Sequence, residues 1–408
     1  MSGLVAERQT LSLRVGLALA LGLLVVACGT PFARPTPSAT PVPSPTPTPQ
    51  PLLAVVDQGS PLNTLLLINL NGQPVAQTLI SKSAVIAGTT ATEVAYEDGG
   101  RLQALQSDGQ VVILGSMDGF KGGRVVLSPN GKQWMWSTYN VQSGGQVHSF
   151  IYLDDRLVAD DVLQGRFFEP VAWTQRGVVF EEAQMGPSGY QPFDLVTGRT
   201  MLLQPQDQSA GNPPQGTNLT SQSCLYGDLA DDGSLVCRVP SGTVITSTEG
   251  LQFTLASGDS FSVALPLGQF TEAGAISFLP SAFQTSNSTT PEAVLGGATL
   301  AGAATGGQGE SYQTAIINLA THALTFLPTP GLRPGAGSWA WLSTTQLITY
   351  RPAGASGGDP GIYIANTGAP ALRLWPQGTP VGLLDQGGAS SQSPQPSPSG
   401  SANPSGII

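Results

Sequence analysis

The chain has 408 residues, with 26 acidic and 16 basic residues and a formal net charge of −10. Phosphate backbones need a basic surface, so this balance argues against nucleic acid as a partner. Glycine occurs 51 times, whereas lysine occurs only at Lys82, Lys121 and Lys132. Because helix breakers are frequent and a strong helix former is scarce, the composition favours an all-β fold.

The first 27 residues have the organisation of a secretory signal peptide. Arg8 and Arg14 stand near the start, and an apolar core from Val15 to Ala27 ends in small residues. A helix of that length extends about 20 Å, less than the roughly 30 Å of bilayer hydrocarbon. We therefore predict a cleaved signal over residues 1–27 rather than a transmembrane helix.

A cysteine follows this segment directly. Val25, Val26 and Ala27 precede Cys28 and resemble the bacterial lipobox, in which the cysteine sulfur receives a diacylglyceryl group before cleavage. The resemblance implies a lipoprotein with palmitate-type acyl chains at Cys28, held at the extracytoplasmic face of the cell membrane. Each buried methylene adds about 0.8 kcal/mol of membrane affinity, so several chains anchor firmly. The alternative is an ordinary signal followed by an incidental cysteine.

Segments of low complexity flank the rest of the chain. Residues 28–51 contain nine prolines among threonines and serines. Such a segment cannot bury enough apolar surface to offset its ordering entropy, so we expect a disordered, extended stalk that reaches roughly 70 Å. Residues 386–408 are uncharged and rich in serine, proline and glycine, and we expect a disordered tail.

The intervening segment, 52–385, repeats short apolar strands separated by polar turns. Recurring segments align on the residue before the turn, and these positions are spaced by 45, 56, 49 and 63 residues: Ser128, Trp173, Leu229, Phe278 and Trp341. Periods of roughly 40 to 50 residues built from four short strands are typical of propeller blades. The segment is therefore predicted to be a β-propeller of four-stranded blades.

The turn segments resemble the Trp-Ser-Pro-Asp-Gly-Lys element of TolB-type and WD-like propeller repeats. One copy reads Ser128-Pro129-Asn130-Gly131-Lys132, with asparagine in place of the usual aspartate, and Gln175-Arg176-Gly177 departs further. The resemblance implies the same propeller fold for most of 52–385.

Counting strands gives seven blades, with six or eight as alternatives. The predicted blades are 52–80, 83–115, 124–164, 168–204, 223–257, 275–328 and 336–376. The first contains only three strands, and 379–385 is predicted to supply the fourth, which would close the ring and remove its open edges.

Two cysteines remain beyond Cys28. Cys224 and Cys237 flank the turn at 230–233, so they are expected on adjacent strands, nearly opposite each other. An even number of cysteines in an oxidising location predicts a disulfide, with two buried thiols as the alternative.

Catalytic and metal-binding patterns are hard to find. His148 and His322 stand 174 residues apart and are interpreted as isolated strand or loop residues, so we predict neither a metal nor a cofactor. Ser356 lies in a G-x-S-x-G match that lacks the strand-turn-helix context of a nucleophile elbow. Trp134 with Trp136, and Trp339 with Trp341, are predicted to share a strand face and pack between blades, with sugar stacking as the alternative.

One acidic cluster could supply carboxylates for calcium binding or acid/base chemistry. Interleaved arginines at Arg156, Arg166 and Arg176 favour simple pairing at solvated strand ends instead. The carboxylates are Asp154, Asp155, Asp160, Asp161, Glu169, Glu181 and Glu182.

These features predict a non-enzymatic, monomeric, lipid-anchored propeller that binds a protein or envelope glycan at one face of the ring. The alternative is an extracytoplasmic hydrolase or lyase that uses carboxylates at the channel mouth, with Asp154 to Asp161 as the candidates. Fold alone does not decide between the two, because propellers host both kinds of function.

Overall fold

The computed structural model describes residues 50–121, 123–185, 192–220, 225–241, 244–264, 272–280, 292–300, 310–335, 338–355 and 358–384. All of them belong to the compact unit Thr48–Ile408. The predicted signal, nearly all of the predicted stalk and the predicted tail lie outside the described residues. Within that part of the chain, no helix is both long enough and apolar enough to cross a membrane.

The first half of the described chain contains fourteen strands. They are β1 (Leu52–Asp57), β2 (Asn63–Asn69), β3 (Pro74–Ile80), β4 (Val85–Thr89), β5 (Glu93–Glu97), β6 (Arg101–Gln106), β7 (Val111–Ser116), β8 (Val125–Leu127), β9 (Trp134–Val141), β10 (Gln146–Leu153), β11 (Arg156–Gln164), β12 (Arg166–Thr174), β13 (Gly177–Met185) and β14 (Pro192–Leu203).

The second half contains another fourteen. They are β15 (Gly216–Asn218), β16 (Leu225–Leu229), β17 (Leu235–Ser241), β18 (Val244–Thr254), β19 (Ser260–Ala264), β20 (Glu272–Phe278), β21 (Glu292–Leu300), β22 (Glu310–Asn318), β23 (Leu324–Phe326), β24 (Arg333–Pro334), β25 (Gln346–Arg351), β26 (Gly361–Asn366), β27 (Ala369–Trp375) and β28 (Thr379–Leu384).

The described strands pair into seven antiparallel sheets of four strands each. Sheet 1 has the order β28-β1-β2-β3, and sheets 2 to 7 take the remaining strands four at a time in chain order, from β4–β7 to β24–β27. Short antiparallel strands with tight polar turns account for this order, because each strand pairs with the one that follows it.

Contacts between sheets run in series around a ring. β28 contacts β4, β4 contacts β8, and β8 contacts β12. The series continues from β14 to β16, from β16 to β20 and from β22 to β24, and β25 then contacts β28. The described residues therefore form an all-β propeller of four-stranded blades, which confirms the predicted fold class.

The ring is closed by the C-terminal strand. β28 pairs with β1, with Leu52 opposite Leu384 and Leu53 opposite Leu383, so the prediction that 379–385 supplies the missing strand is confirmed. Thr89 in β4 donates its hydroxyl hydrogen to the carbonyl of Leu383 at 3.0 Å. A Cβ at Gly382 would lie 2.2 Å from Cγ2 of Thr89, so this junction requires glycine.

The propeller has two faces that the strand direction distinguishes. Four antiparallel strands return the chain to the side where it entered a sheet, so the first strands of all sheets run the same way. We call the side where they end the terminal face, because Leu52 and Leu384 lie there with the turns at 128–133 and 230–234. The other side, with the connections at 81–84 and 117–124, is the distal face.

The core consists of clusters between neighbouring sheets. The cluster between sheets 3 and 4 is typical, with Met135, Ile151, Phe168 and Phe180 all fully buried. Each inner strand thus contributes apolar side chains to two junctions, and burial of each large side chain stabilises the fold by about 1.5–3 kcal/mol.

Three details differ from the sequence-based expectations. β15 lies beyond the predicted blade 168–204, because its three residues are all exposed and show no alternating pattern. β19 lies beyond the predicted blade 223–257, because the turn at 255–259 separates it from β18. The first strand of sheet 7 is β24, and Trp339 falls in a 3-10 helix, Ser338–Ala340. Trp339 and Trp341 therefore do not share a strand face. Trp339 packs at the junction of sheets 7 and 1, and Trp341 packs toward sheet 6.

Candidate ion-pair site at the distal face

An arginine lies between two glutamates at the junction of sheets 3 and 4. Arg124 ends the connection between β7 and β8, Glu169 belongs to β12, and Glu181 belongs to β13. Glu169 and Glu181 are Cα partners in the antiparallel pair. Directly opposed like charges destabilise a sheet, so this pair requires a neighbouring cation.

Arg124 provides that cation. Its Nε lies 3.9 Å from Oε2 of Glu169, and its Nη1 lies 3.7 Å from Oε2 of Glu181. The two glutamate side chains are 8% and 9% exposed, whereas Arg124 is 20% exposed. Burial strengthens each attraction because the local dielectric is lower than in water. We call Arg124, Glu169 and Glu181 the distal triad.

The chain must approach Glu169 closely to place Arg124. Gly123 has a φ of +115°, which residues with a side chain rarely adopt, and a Cβ there would lie 3.0 Å from Oε1 of Glu169. Glycine at 123 therefore meets both the backbone conformation and the space available beside the carboxylate.

The connection that carries Arg124 is fixed to β9 by polar contacts. Lys121 donates from Nζ to the carbonyl of Tyr139 at 2.9 Å and to Oδ1 of Asn140 at 2.7 Å, while Thr138 donates to the carbonyl of Gly119 at 2.7 Å. Burial, and then the negative charge of Glu169, raises the pKa of the Tyr139 phenol. The exposed Lys121 and Asn140 form the solvent-facing rim beside the triad.

A second ion pair continues the network along the same two strands. Arg166, at the start of β12, contacts the buried carboxylate of Glu182. Pairing with an arginine was the interpretation favoured by the sequence, and it is confirmed for Glu182. The expectation of solvated strand ends was wrong for Glu169, Glu181 and Glu182, because all three glutamates are buried in the sheet 4 hairpin.

Two titratable residues of β16 extend the polar interior toward sheets 5 and 6. Burial, followed by the charges of Asp228 and Glu181, raises the pKa of Tyr226 well above its usual value. Burial likewise raises the pKa of Asp228 to about 6, although its carboxylate accepts a hydrogen bond from the amide of Phe278 at 2.9 Å. That bond joins the inner strands of sheets 5 and 6.

The four aspartates proposed as catalytic candidates do not line a channel mouth. Asp154 and Asp155 occupy the turn between β10 and β11, and Asp160 and Asp161 lie on β11, the strand of sheet 3 farthest from β8. Asp154 accepts a hydrogen bond from the amide of Trp134 at 3.0 Å, and burial raises its pKa. These four aspartates are close to Glu169 in the sequence, but they do not lie beside it at the inner strands of the ring.

The histidines have structural environments. Nε2 of His148 lies 2.8 Å from Oδ2 of Asp160, and its ring packs on Phe150 with centroids 4.1 Å apart. His322 stacks on Phe261 with centroids 3.8 Å apart. Within the described ranges, no group of three or more histidine, cysteine, aspartate or glutamate residues is arranged to hold a metal ion.

Other sequence-based candidates have mixed outcomes. Trp136, Trp339 and Trp341 are buried, so packing rather than sugar stacking is confirmed for them, and Trp134 is half-buried. Cys237 is disulfide-bonded. Cys28, Cys224 and Ser356 lie outside the described residues, so lipidation at Cys28 and pairing with Cys224 stay predictions.

The fold and the site define a β-propeller with a buried ion-pair network at one face. No protein-family model matches the chain, and no curated protein matches its sequence. Similar solved structures include Citrobacter koseri AztD, at 10% identity and a TM-score of 0.41, over 82% of this chain and 96% of that chain. A putative TolB from Agrobacterium tumefaciens has 9% identity and a TM-score of 0.35, over 67% and 88%.

An oligogalacturonate lyase in complex with manganese has 11% identity and a TM-score of 0.39, over 80% of this chain and 85% of that chain. At these identities and TM-scores the similarity extends to the general fold and no further.

Proposed function

We propose that this chain is a lipid-anchored extracytoplasmic protein whose propeller binds a protein or envelope glycan at its distal face, without catalysis. The anchor is the diacylglyceryl-modified Cys28, and residues 28–51 form a stalk between the lipid and the ring. The proposal combines the lipobox resemblance with the position at which the chain enters and leaves the propeller.

The register of the closing strand pair is the observation that carries the proposal. Leu52 is paired with Leu384, so the chain enters and leaves the propeller at neighbouring points on the terminal face. A membrane tether attached at these points would leave the distal face free for a ligand. Propellers commonly use the loops around one end of the ring for recognition, because a rigid scaffold holds them in position.

The distal face has suitable chemistry for a polar ligand. Lys121 and Asn140 are exposed at its rim, and Arg124 of the distal triad belongs to the same connection as Lys121. A rim of hydrogen-bonding groups above a rigid base favours recognition of peptide or sugar groups, since little side-chain conformational freedom is lost on binding.

Lipid attachment is tested by mass and fractionation of the full chain. We expect Cys28→Ala to remove the lipid mass and to shift the protein from the membrane to the soluble extracytoplasmic fraction. If the variant fractionates with membranes and keeps the same added mass, the anchor lies elsewhere.

Ligand binding is tested by thermal shift against amino sugars, neutral hexoses, extended peptides and divalent ions. A ligand at a hundredfold excess over its dissociation constant stabilises the protein by about 2.7 kcal/mol. Lys121→Gln, at the distal rim, should weaken any shift, and the matched change Lys132→Gln, in an exposed turn of the terminal face, should leave it intact. Equal loss in both variants would contradict binding at the distal face.

A second candidate, a carboxylate-dependent hydrolase or lyase, is favoured by one observation. Glu169 and Glu181 are partners across β12 and β13, which brings together two carboxyl groups of the kind that can act as general acid and base. Turnover of an envelope polymer that is abolished by Glu181→Gln, in a variant that melts like the parent, would replace the binding proposal with this one.

A further inference from the structure

The distal end of sheet 3 projects beyond the neighbouring sheet 2. The middle strands β9 and β10 have eight residues each, whereas β5 and β6 of sheet 2 have five and six. The extra residues add about 7–10 Å at roughly 3.3 Å per residue. The face of sheet 3 that packs on sheet 2 through Trp136 and Tyr152 therefore continues past that sheet toward the solvent.

Three side chains form a row across this projecting face. Asn140 on β9 lies opposite His148 on β10, and His148 lies opposite Val162 on β11. Direct partners in an antiparallel pair point to the same side of the sheet, with Cβ atoms about 4.5–5.5 Å apart. His148 is four residues from Tyr152 on one strand, so both share the face that packs on sheet 2. Asn140 and Val162 are exposed, and His148 is half-buried. We call Asn140, His148 and Val162 the distal row.

Lys121 fixes the amide of Asn140 at one end of the row. Nζ of Lys121 donates to Oδ1 of Asn140 at 2.7 Å and to the carbonyl of Tyr139 at 2.9 Å. An ammonium group has three hydrogens and no acceptor, so the amide oxygen must face it and Nδ2 is turned away. In the described part of the chain, Nδ2 and the third ammonium hydrogen have no protein acceptor. This end of the row is therefore a pair of available hydrogen-bond donors.

His148 supplies an acceptor beside these donors. Its Nε2 lies 2.8 Å from Oδ2 of Asp160. A carboxylate only accepts hydrogen bonds, so Nε2 carries the hydrogen of a neutral imidazole and Nδ1 keeps a lone pair. Nδ1 has no partner among the described residues and is not one of their buried unpartnered atoms, so it is accessible to solvent. The amide of Gly211 donates to the other oxygen of Asp160 at 2.8 Å, which holds the His148–Asp160 pair in place.

We propose that the distal row binds the acetamido group of an N-acetylated amino sugar. Asn140 and Lys121 donate to its carbonyl oxygen, and Nδ1 of His148 accepts a hydrogen bond from its N–H. The methyl group contacts Val162. In a trans amide the N–H and the methyl lie on the same side, away from the carbonyl oxygen. The order of donors, acceptor and apolar side chain along the row matches that arrangement.

The surroundings of the row favour a compact, neutral group over a peptide. The ammonium group of Lys121 at one end is balanced by the carboxylate of Asp160 at the other. An extended peptide gains affinity by adding a strand to a free sheet edge. The edge beside Val162 is covered, because the amide of Asp160 donates to the carbonyl of Asn212 at 3.1 Å. The inference rests on the proposed function, because it names the ligand of the same distal face.

The first test is calorimetric titration of the full chain with methyl N-acetyl-β-glucosaminide and with methyl β-glucoside, which lacks the acetamido group. We expect the acetamido sugar to bind at least about tenfold more tightly, since the glucoside leaves the donors and Nδ1 without their partners. N-acetylalanine methylamide, a minimal peptide, should bind no better than the glucoside. Equal binding of the two sugars, or tighter binding of the peptide, would overturn the assignment.

The second test removes one donor and keeps the shape of the side chain. Asn140→Asp retains the contact with Lys121 but replaces Nδ2 with an acceptor, so affinity for the acetamido sugar should fall by at least about tenfold. Asn71→Asp makes the same change in an exposed turn of the terminal face and should bind like the parent. An Asn140→Asp variant with the parent's affinity, or equal losses in the two variants, would show that the distal row is not the site.

The methyl contact is tested with two exposed valines on opposite faces of sheet 3. Val162 is 45% exposed in the row, whereas Val141 is 53% exposed and follows Asn140 on β9, so it points to the other face. Val162→Thr replaces a methyl with a hydroxyl and should lower the preference for the acetamido sugar by about fourfold. Val141→Thr should leave the preference unchanged, and equal effects would contradict the contact.

Failure of this inference is distinguishable from failure of the proposed function. If the parent binds neither sugar but another ligand gives a thermal shift that Lys121→Gln weakens, the acetamido assignment is wrong and the distal face remains the binding face. If no ligand binds in a way that depends on Lys121, both are wrong.

Discussion

Leu52 and Leu384, which are 332 positions apart in the sequence, are direct partners in the strand pair that closes the ring. Loss of β28 would expose the backbone edge of β1 and remove the Thr89 contact that joins sheets 1 and 2. Ring closure therefore depends on the last six residues of the propeller rather than on the length of the tail.

Two truncations should separate the tail from the closing strand. A chain that ends at Asp385 should melt within about one degree of the full chain, because changes away from packed features usually stay within about ±0.5 kcal/mol. A chain that ends at Gly378 should melt much earlier and aggregate on heating, since an open edge accepts strands from other molecules. Melting curves with light scattering measure both effects, and equal melting points would exclude the closing role.

Replacement of Arg124 should destabilise the junction of sheets 3 and 4. Arg124→Gln leaves Glu169 opposite Glu181 without the guanidinium that contacts both, and we expect a loss of about 2 kcal/mol in the free energy of unfolding. Asp359→Asn is the control, because it removes only the exposed pair with Arg373 and should cost under about 0.5 kcal/mol. Denaturant unfolding measures both variants, and similar losses would contradict the importance of the triad.

Asp228 should make stability depend on pH. Its pKa of about 6 in the folded protein is raised above the value of 3.8 for a free side chain. The folded state therefore favours the protonated form, and the stability that this provides is present below pH 3.8 and is lost as the pH rises through about 6. The full difference is about 3 kcal/mol, at 1.36 kcal/mol per pKa unit.

Asp228→Asn tests this dependence, because the amide oxygen can still accept the hydrogen bond from Phe278. Relative to the parent, the variant should be more stable at pH 8 than at pH 5. Asp232→Asn, exposed in the adjacent turn, should follow the parent at both values. An Asp228→Asn variant with the parent's pH profile would show that this carboxyl is not responsible.

The disulfide of Cys237 should involve Cys224. A disulfide between Cys224 and Cys237 closes a loop of about 14 residues, which stabilises a protein by roughly 3 kcal/mol in the chain-entropy model. Thiol labelling of the unfolded, unreduced protein should therefore modify neither residue, and reduction should make both reactive. Labelling of Cys224 without reduction would assign the partner of Cys237 to another cysteine.

The repeat alone was enough to predict the propeller and most of its strand groups. Leu127, Thr174 and Leu229 end the first strands of their sheets beside polar turns, and this local pattern is visible in the sequence because tight turns require particular residues. The ring-closing role of 379–385 also followed from the strand count, since one group had only three strands.

The site depended on features that the local sequence does not specify. A simple hairpin about Gln175 and Arg176 places Glu169 opposite Glu182, but a bulge between Pro170 and Ala172 shifts the register, so that Glu169 faces Glu181 instead. Arg124 belongs to another sheet and reaches these carboxylates only through the packing of sheet 3 on sheet 4. The sequence offered one signal for this contact, namely the basic residues in Phe120-Lys121 and Gly123-Arg124, which stand just before β8.

The sequence by itself determined the class of fold, because alternating apolar residues and turn residues act over a few positions and recur at each blade. It could not determine which charges meet, since Asp154 to Asp161 are close to Glu169 along the chain yet lie on the outer part of sheet 3. Only the tertiary structure decided that Arg124 pairs with both Glu169 and Glu181. This contact depends on how sheet 3 packs on sheet 4, and burial between sheets is a long-range property.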